Sequence, residues 1–201
     1  MSATAGATAL SPITLNGAVV RLEPLTMEHL ERLCDVGLDP ELWRWTTSEA
    51  RTREDMRRYI ETALEWQLQG TALPFATVEQ ASGRVIGSTR FMNIDVANRR
   101  AEIGATWIAR PWQRTAVNTE AKYLMLRHAF ETLGFMRVEL KTDVLNTASR
   151  NAILRIGAKQ EGIFRKHMLC ENGRIRDTVY FSIVDTEWAE AKAALEAKLG
   201  R

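Results

Sequence analysis

The stretch "RRAEIGATWIARPWQRTAVNTEAKYLMLRHAFETLGFMRVELKTD", residues 99–143, decides the fold because it holds a strand, a basic turn, a helix and another strand. Residues 99–109 alternate as a strand does, 118–134 follow a helical pattern that ends at a glycine, and 137–143 return to a strand pattern. Such a crossover requires two parallel strands, and ligands of such sheets tend to lie at the carboxyl ends of the strands. The turn at 110–118 lies at that place.

The flanking segments complete one mixed α/β domain. The other predicted strands, which turn residues join into an antiparallel meander and a closing hairpin, are 18–25, 73–80, 83–94, 158–169 and 174–185. The other predicted helices are 26–37, 52–70, 147–157 and 186–199, with a loop or short helix at 38–51. The sequence therefore predicts about seven strands and four or five helices in a single domain over residues 13–201, after a disordered tail over residues 1–12.

Composition and charge narrow the function classes. The formal net charge of +2 in 201 residues gives no reason to expect a nucleic-acid partner, which would need a clustered basic face. Cys34 and Cys170 are far apart and match no metal-ligand spacing, so we expect two buried thiols in a reducing compartment and no bound metal. No apolar run approaches the ~18 residues that cross a bilayer. We expect a cytoplasmic protein.

The basic turn between the central strand and helix has the character of a phosphate-binding loop. Backbone N–H groups at a helix start, with the positive end of the helix dipole, bind phosphate without side chains. The turn lacks glycine, which is needed only where φ is positive or the ligand touches the Cα atom. The alternative is that Thr115 or Asn118 merely caps the helix and Glu120 supports its first turn.

A family resemblance favours the phosphate-binding interpretation. The order of elements from "AEIGATW" to "EGIFR", with the opening "VVRLEPLTMEHLERL", the loop "LWRW" and the strand "RDTVYFSI", resembles the GNAT superfamily of N-acetyltransferases. The most similar branch is the RimJ/RimL-like one, the ribosomal-protein N-terminal acetyltransferases, and the resemblance spans residues 13 to about 185. It implies the GNAT fold and acetyl-CoA as co-substrate. The family's phosphate turn, Gln/Arg-x-x-Gly-x-Gly/Ala, falls on Gln113, Arg114, Thr115, Ala116, Val117 and Asn118.

The resemblance also implies how the acceptor amine is activated. An α-amine with pKa ~7.7–8.0 is partly neutral at pH 7, whereas a lysine amine with pKa ~10.4 is almost wholly charged. Either amine gains from a general base, and the resemblance assigns that role to Glu102, with a structural carboxylate as the alternative. His167 is a second candidate base.

Further roles concern the carbonyl oxygen and the departing thiolate. By resemblance, a backbone N–H near a strand bulge stabilises the carbonyl oxygen, and this stretch comprises Trp107, Ile108 and Ala109. Asn146 would hydrogen-bond the pantetheine amides. Ile153 stands where many relatives carry a tyrosine acid, so the resemblance moves that role to Ser149, which could equally be a first-turn residue of its helix.

The acceptor and the assembly are the least determined features. Trp43, Trp45 and Phe91 are candidate acceptor contacts, although aromatic residues at such spacing also build cores. The expected activity is direct acetylation of a protein or peptide α-amine. The alternatives are a small-molecule amine acceptor, such as an amino acid, a polyamine or a toxin, and a non-catalytic acyl-CoA-binding module. We expect no nucleic-acid or membrane partner, and a homodimer is left open.

Overall fold

The computed structural model describes residues 10–201 and contains an eight-stranded sheet with helices on both faces. The strands are β1 (Leu15–Asn16), β2 (Val20–Pro24), β3 (Leu73–Glu79), β4 (Val85–Asp95), β5 (Arg100–Ile108), β6 (Arg137–Asp143), β7 (Lys159–Leu169) and β8 (Ile175–Val184). The helices are α1 (Leu30–Gly37), α2 (Arg53–Leu68), α3 (Ala116–Arg127), α4 (Thr147–Arg155) and α5 (Asp185–Lys198). The predicted mixed α/β class is confirmed, with one strand more than expected. The predicted disordered tail lies largely outside the described residues.

The sheet runs in the order β1-β2-β3-β4-β5-β6-β8-β7, and the predicted crossover produces its parallel pair, β5 with β6. This pairing covers only Arg100 to Glu102 of β5 against Arg137 to Glu139 of β6. The rest of β6 continues to pair with β8 as far as Asp143. The two parallel strands therefore separate after Glu102 and leave a gap between them, which we call the β5–β6 gap.

Two hydrophobic cores hold the layers together. The larger core lies between the sheet and α3 and α5, and the smaller one lies between the sheet and α1 and α2. Met56, Ile60 and Ala63 of α2 face the smaller core at the spacing that the sequence predicts. Thr52 caps α2 as predicted, since its hydroxyl accepts a hydrogen bond from the Asp55 amide at 3.1 Å.

The central helix differs from its predicted bounds. It begins at Ala116, two residues earlier than expected, and its last turn is a π-helical segment, His128–Thr132, which ends before Gly134. The alternative interpretation of the turn gave Glu120 a role in the first turn of this helix. Instead, the fully buried Glu120 carboxylate accepts hydrogen bonds from the amides of Ala18, Val19 and Val20 at 3.0, 2.6 and 2.7 Å. The helix is thereby fixed to the turn between β1 and β2.

Candidate functional site

A bulge in β5 marks the centre of the site. The register of β5 against β4 shifts here, and Ala105 takes a left-handed conformation with φ 46°. Tyr59 of α2 donates its hydroxyl hydrogen to the Ala105 carbonyl oxygen, at 3.2 Å. A β-bulge re-aims the backbone next to it. After the bulge, residues 107–108 pair with β4 again, and the Ala109 amide donates to the Ile86 carbonyl oxygen at 2.8 Å.

The edge of β5 that faces the gap is supported by side chains where β6 has turned away. The Gln113 side chain donates from Nε2 to the Ile108 carbonyl oxygen at 2.8 Å, and Lys122 of α3 donates from Nζ to the Thr106 hydroxyl at 2.7 Å. Gln113, predicted to bind the coenzyme, thus ties the turn to the end of β5. Of the two contacts, only that of Gln113 occupies a backbone group of β5.

The backbone of the turn before α3 does not require glycine at the positions where the family has it. Thr115 is the N-cap residue in extended conformation, and its hydroxyl accepts a hydrogen bond from the Val117 amide at 3.3 Å. Ala116 is the first helical residue, so the position where the family has glycine needs no positive φ. The left-handed residue is Arg114, with φ 62°. Capping by Thr115 still leaves first-turn amides without intrahelical partners, because every helix start does.

Polar and basic groups surround this helix start. Asn118 Oδ1 is buried and has no hydrogen-bond partner among the described residues. Arg155 of α4 donates to the Thr119 hydroxyl of the first turn at 2.8 Å, which brings a guanidinium to the helix start. Two other arginines near the coenzyme side are engaged elsewhere, Arg110 in an ion pair with Asp39 at 2.5 Å and Arg150 with the Val144 carbonyl oxygen at 3.2 Å.

A buried carboxylate lies at the other end of the gap. Glu102 is 6% exposed and is the last residue of β5 that pairs with β6. Its Oε2 accepts hydrogen bonds from Asn93 Nδ2 at 2.7 Å and from Lys141 Nζ at 2.7 Å. Burial alone would lower the pKa of Lys141, but the Glu102 charge and hydrogen bonds to Glu102 and Tyr180 raise it. Lys141 is therefore a charged ammonium that holds Glu102 in place.

His167, the second candidate base, joins the same polar face through Tyr180. The Tyr180 hydroxyl lies 3.4 Å from His167 Nε2, and Lys141 Nζ lies 4.5 Å from the centre of the Tyr180 ring. Glu102 thus contacts Lys141 directly, whereas His167 reaches it only through Tyr180. This arrangement favours Glu102 over His167 as the group next to the gap.

The three aromatic residues predicted to contact the acceptor lie in different environments. Trp43, 2% exposed, donates to the Gly37 carbonyl oxygen at 2.7 Å, and its ring lies 5.5 Å from that of Trp107. Phe91, 1% exposed, lies in the larger core. Of the three, Trp45 alone is partly exposed. Trp43 and Phe91 are therefore core residues, which is the alternative that the sequence left open.

The loop 38–51 lies on the face of the sheet opposite α3. It packs on β5 through Trp43 and reaches the β7–β8 hairpin through Thr47, whose carbonyl oxygen accepts from the Glu171 amide at 3.0 Å. The Arg174 guanidinium lies 5.5 Å from the centre of the Trp45 ring and pairs with Asp143, at the end of β6, at 2.6 Å. The loop therefore contacts β5 directly and is linked to the end of β6 through Arg174.

The helix after β6 carries the residues predicted to handle the thiol. Asn146 is its N-cap residue, with Oδ1 accepting from the Ser149 amide at 3.0 Å, so the cap falls on the asparagine. Ser149 lies in the first turn and is partly exposed. Ile153 is buried in the larger core, where a tyrosine acid would not be free to reach a ligand without repacking.

Two residues next to the bulge were not singled out from the sequence. Lys122 is buried at 6% exposure beneath Thr106. Arg90 of β4, 2% exposed and paired with Gly104, lies 4.7 Å from the Tyr59 ring centre, with its Nε and Nη2 atoms unpartnered among the described residues. In the sequence, Lys122 and Arg90 could be noticed only as charged residues within apolar segments. A single charged residue forms no motif with a recognisable spacing, so neither was identified as a site residue.

These features fit a coenzyme A thioester. The first-turn amides of α3 and Arg155 suit phosphate, and the gap offers an unpaired strand edge to the amides of a pantetheine arm. Asn118 Oδ1 is a buried acceptor without a partner among the described residues, so it is available to accept a hydrogen bond from an N–H group of the ligand. Among residues 10–201, no group of three or more His, Cys, Asp or Glu side chains could hold a metal ion, and no helix is long and apolar enough to span a membrane.

Comparisons with known proteins agree with this geometry. Residues 20–159 match the family model described as an acetyltransferase (GNAT) domain. The "Uncharacterized N-acetyltransferase p20" of Bacillus licheniformis is 28% identical over 88% of this chain and 98% of its own length. YdaF of Bacillus subtilis, named as a ribosomal N-acetyltransferase, is 36% identical over 55% of this chain and 59% of its own, which supports the RimJ/RimL-like branch.

A solved structure shows the same fold along nearly the whole chain. The GCN5-related N-acetyltransferase from Brucella melitensis is 34% identical, has a TM-score of 0.86, and covers 94% of this chain and 86% of its own. The family model covers more than half of the sequence. The chain therefore belongs to the GNAT family of N-acetyltransferases.

Proposed function

We propose that this protein transfers the acetyl group of acetyl-CoA directly to the α-amine of a protein or peptide. Family membership supports acetyl transfer, and the likeness to YdaF supports a protein acceptor. The start of α3 and the β5–β6 gap would receive the phosphates and the pantetheine arm, as described above. Their backbone groups bind without particular side chains, which explains how the turn can lack glycine.

The observation that carries the proposal is the position of Glu102. It is a buried carboxylate where β5 and β6 separate, three residues before the bulge at Ala105. A carboxylate here can accept the proton of an incoming amine, directly or through one water molecule. Because an α-amine has a pKa of only ~7.7–8.0, this base has less work to do than it would for a lysine.

The strand beyond the bulge supplies the second part of the chemistry. The Ala109 amide, which was also a sequence candidate, already donates to the Ile86 carbonyl oxygen of β4 at 2.8 Å. The amides of Trp107 and Ile108 are therefore the proposed donors to the carbonyl oxygen, on which negative charge develops during transfer. The amine attacks the thioester carbon, the new C–N bond forms, and the C–S bond breaks with its electron pair on sulphur. Donors that are already oriented cost no reorganisation during this step.

A small-molecule amine is the second candidate acceptor. The loop 38–51 is held against the β7–β8 hairpin by two hydrogen bonds. The Glu171 amide donates to the Thr47 carbonyl oxygen at 3.0 Å, and the Glu49 amide donates to the Glu171 side-chain carboxylate at 2.9 Å. A loop closed in this way narrows the access to the gap. The charged face formed by Glu102 and Lys141 is less suited to an apolar amine.

The test combines coenzyme binding with an acceptor panel. Acetyl-CoA is titrated calorimetrically, and thiol release is then measured with peptides bearing a free α-amine, the same peptides blocked at that amine but containing lysine, and small amines. We expect binding, and turnover that depends on the free α-amine. Turnover with small amines alone selects the second candidate, whereas binding heat without any turnover identifies a non-catalytic module.

A further inference from the structure

Lys122 is a buried lysine without a carboxylate partner among the described residues. Its Nζ atom donates to the Thr106 hydroxyl at 2.7 Å, and that hydroxyl lies 2.7 Å from the hydroxyl of Thr89. Lysines are almost never fully buried unless they are paired. An ammonium with one neutral partner retains two N–H groups that could serve a ligand.

The position of Lys122 connects it to the gap. Thr106 directly follows Ala105, the left-handed residue of the bulge, on the stretch of β5 that has lost its β6 neighbour. Asn118, with its orphan Oδ1 atom, lies four residues earlier on α3, and residues at this spacing share one helix face. Asn118 and Lys122 thus form a polar stripe that runs about 6 Å along α3 from the helix start towards the bulge.

The charge state of Lys122 suits proton exchange. Burial lowers the pKa of Lys122 to about 7, and no charged side chain of the packed elements contributes. The ionisable groups around α3 are engaged elsewhere: Glu120 with Arg201 and the β1–β2 turn, and Arg155 with Thr119. His128, whose pKa is lowered by burial and by Arg127, lies beyond the stripe in the π-helical segment. Both forms of Lys122 are therefore present near neutral pH.

We propose that Lys122 is the catalytic acid that protonates the departing thiolate, an inference that rests on the coenzyme use proposed above. As the C–S bond breaks, the electron pair remains on sulphur and the Lys122 ammonium transfers one proton to it, giving the free thiol and a neutral amine. Lys122 regains its proton from water before the next turnover. Lys122 would thus supply the acid that many relatives obtain from a tyrosine at the position of Ile153. It is an alternative to Ser149, the acid that the resemblance suggests.

The test asks whether Lys122 senses the sulphur atom itself. Binding of CoA and of desulfo-CoA, in which hydrogen replaces the thiol, is measured by calorimetry at pH 6.5 for the wild type, Lys122→Met, Lys122→Gln and Ser149→Ala. Lys192→Met, which removes an ammonium that pairs with Glu131 on the surface, is the matched control. Circular dichroism and melting curves verify that each variant is folded.

We expect the wild type, Ser149→Ala and Lys192→Met to prefer CoA over desulfo-CoA by about tenfold, the effect of one charge-assisted hydrogen bond. Both Lys122 variants should bind the two ligands equally. The ultraviolet absorbance of bound CoA should also show that its thiol ionises at lower pH than free CoA in the wild type, and that this shift disappears in Lys122→Gln.

The outcomes separate this inference from the proposed function. A preference for CoA that survives in both Lys122 variants, or that only Ser149→Ala removes, overturns the role of Lys122 and leaves the transferase proposal intact. A loss of affinity for CoA and for desulfo-CoA by the same factor in the Lys122 variants would leave the preference for CoA unchanged. That result would show a structural lysine and would also overturn the catalytic role of Lys122. A folded wild type that binds neither ligand overturns the transferase proposal together with this one.

Discussion

At the scale of single residues, the proposed chemistry depends on two buried charges that face different sides of the sheet. Glu102 has two close partners, Asn93 and Lys141, which orient its carboxylate at the start of the gap. Lys122 has one, the Thr106 hydroxyl, on the side of α3. A paired carboxylate stays in one geometry, and a lone lysine exchanges its proton more readily, so each residue is suited to a different half of the reaction.

Replacing Glu102 with glutamine tests its role as the base. We expect Glu102→Gln to lower kcat by about 10²–10⁴-fold, which is the usual contribution of a general base, with unchanged acetyl-CoA affinity. Steady-state kinetics and calorimetry measure the two quantities. Glu139→Gln, at the paired position on β6, is the control and should retain near wild-type turnover. Normal turnover by Glu102→Gln would remove the carboxylate from the mechanism.

Replacing Lys122 with methionine should change how stability depends on pH. The unfolded chain binds the lysine proton up to pH ~10.4, whereas the folded protein releases it above about pH 7, so this group makes folding more favourable as pH rises through that window. Each unit of lowered pKa corresponds to about 1.4 kcal/mol. We expect Lys122→Met to be more stable than the wild type at pH 7, with the difference shrinking towards pH 10. Urea unfolding at several pH values checks this, and a constant difference would contradict it.

The two charges were not equally accessible to prediction. Glu102 could be named because the resemblance marks its strand position, but its partners Asn93 and Lys141 come from other strands and follow from tertiary pairing. Lys122 could not be recognised, because α3 is buried on nearly every side and its sequence has no separate polar face to make an inward lysine stand out. Periodicity carries information only where one side of an element meets solvent.

At the scale of elements, the start of α3 answers the question raised by the missing glycine. Ala116 is already helical, so a glycine there removes a methyl group without relieving strain. We expect Ala116→Gly to lower the free energy of unfolding by about 0.5–1 kcal/mol and to change acetyl-CoA affinity little, as measured by thermal unfolding and calorimetry. Markedly tighter binding by Ala116→Gly would mean that the methyl group obstructs the ligand.

The elements themselves were largely predictable, and their exceptions have physical causes. The crossover from β5 through α3 to β6 follows from its pattern, and so does the β7–β8 hairpin. The strand β1 was missed because two residues are too short to show alternation. The gap could not be located, since it depends on β6 remaining paired with β8 while β5 follows its bulge towards β4.

At the scale of the whole molecule, Glu120 links the central helix to distant parts of the chain. Three amides of residues 18–20 and the Arg201 guanidinium converge on its carboxylate. We expect Glu120→Ala to lower the free energy of unfolding by about 3 kcal/mol or more, because it leaves several buried donors without partners. Glu190→Ala, at an exposed position of α5, should change it by less than about 0.5 kcal/mol in the same urea titration. Similar losses in the two variants would contradict this role.

The divergence of β5 from β6 separates the positions proposed for the two reactants. The start of α3, the proposed phosphate site, lies beyond the wide end of the gap, and Glu102, the proposed base, lies where the strands are still paired. If the coenzyme occupies the gap from the side of α3, the amine has to reach Glu102 from another direction, so neither reactant has to leave before the other binds. Such a layout favours a sequential kinetic order in which both substrates are bound together.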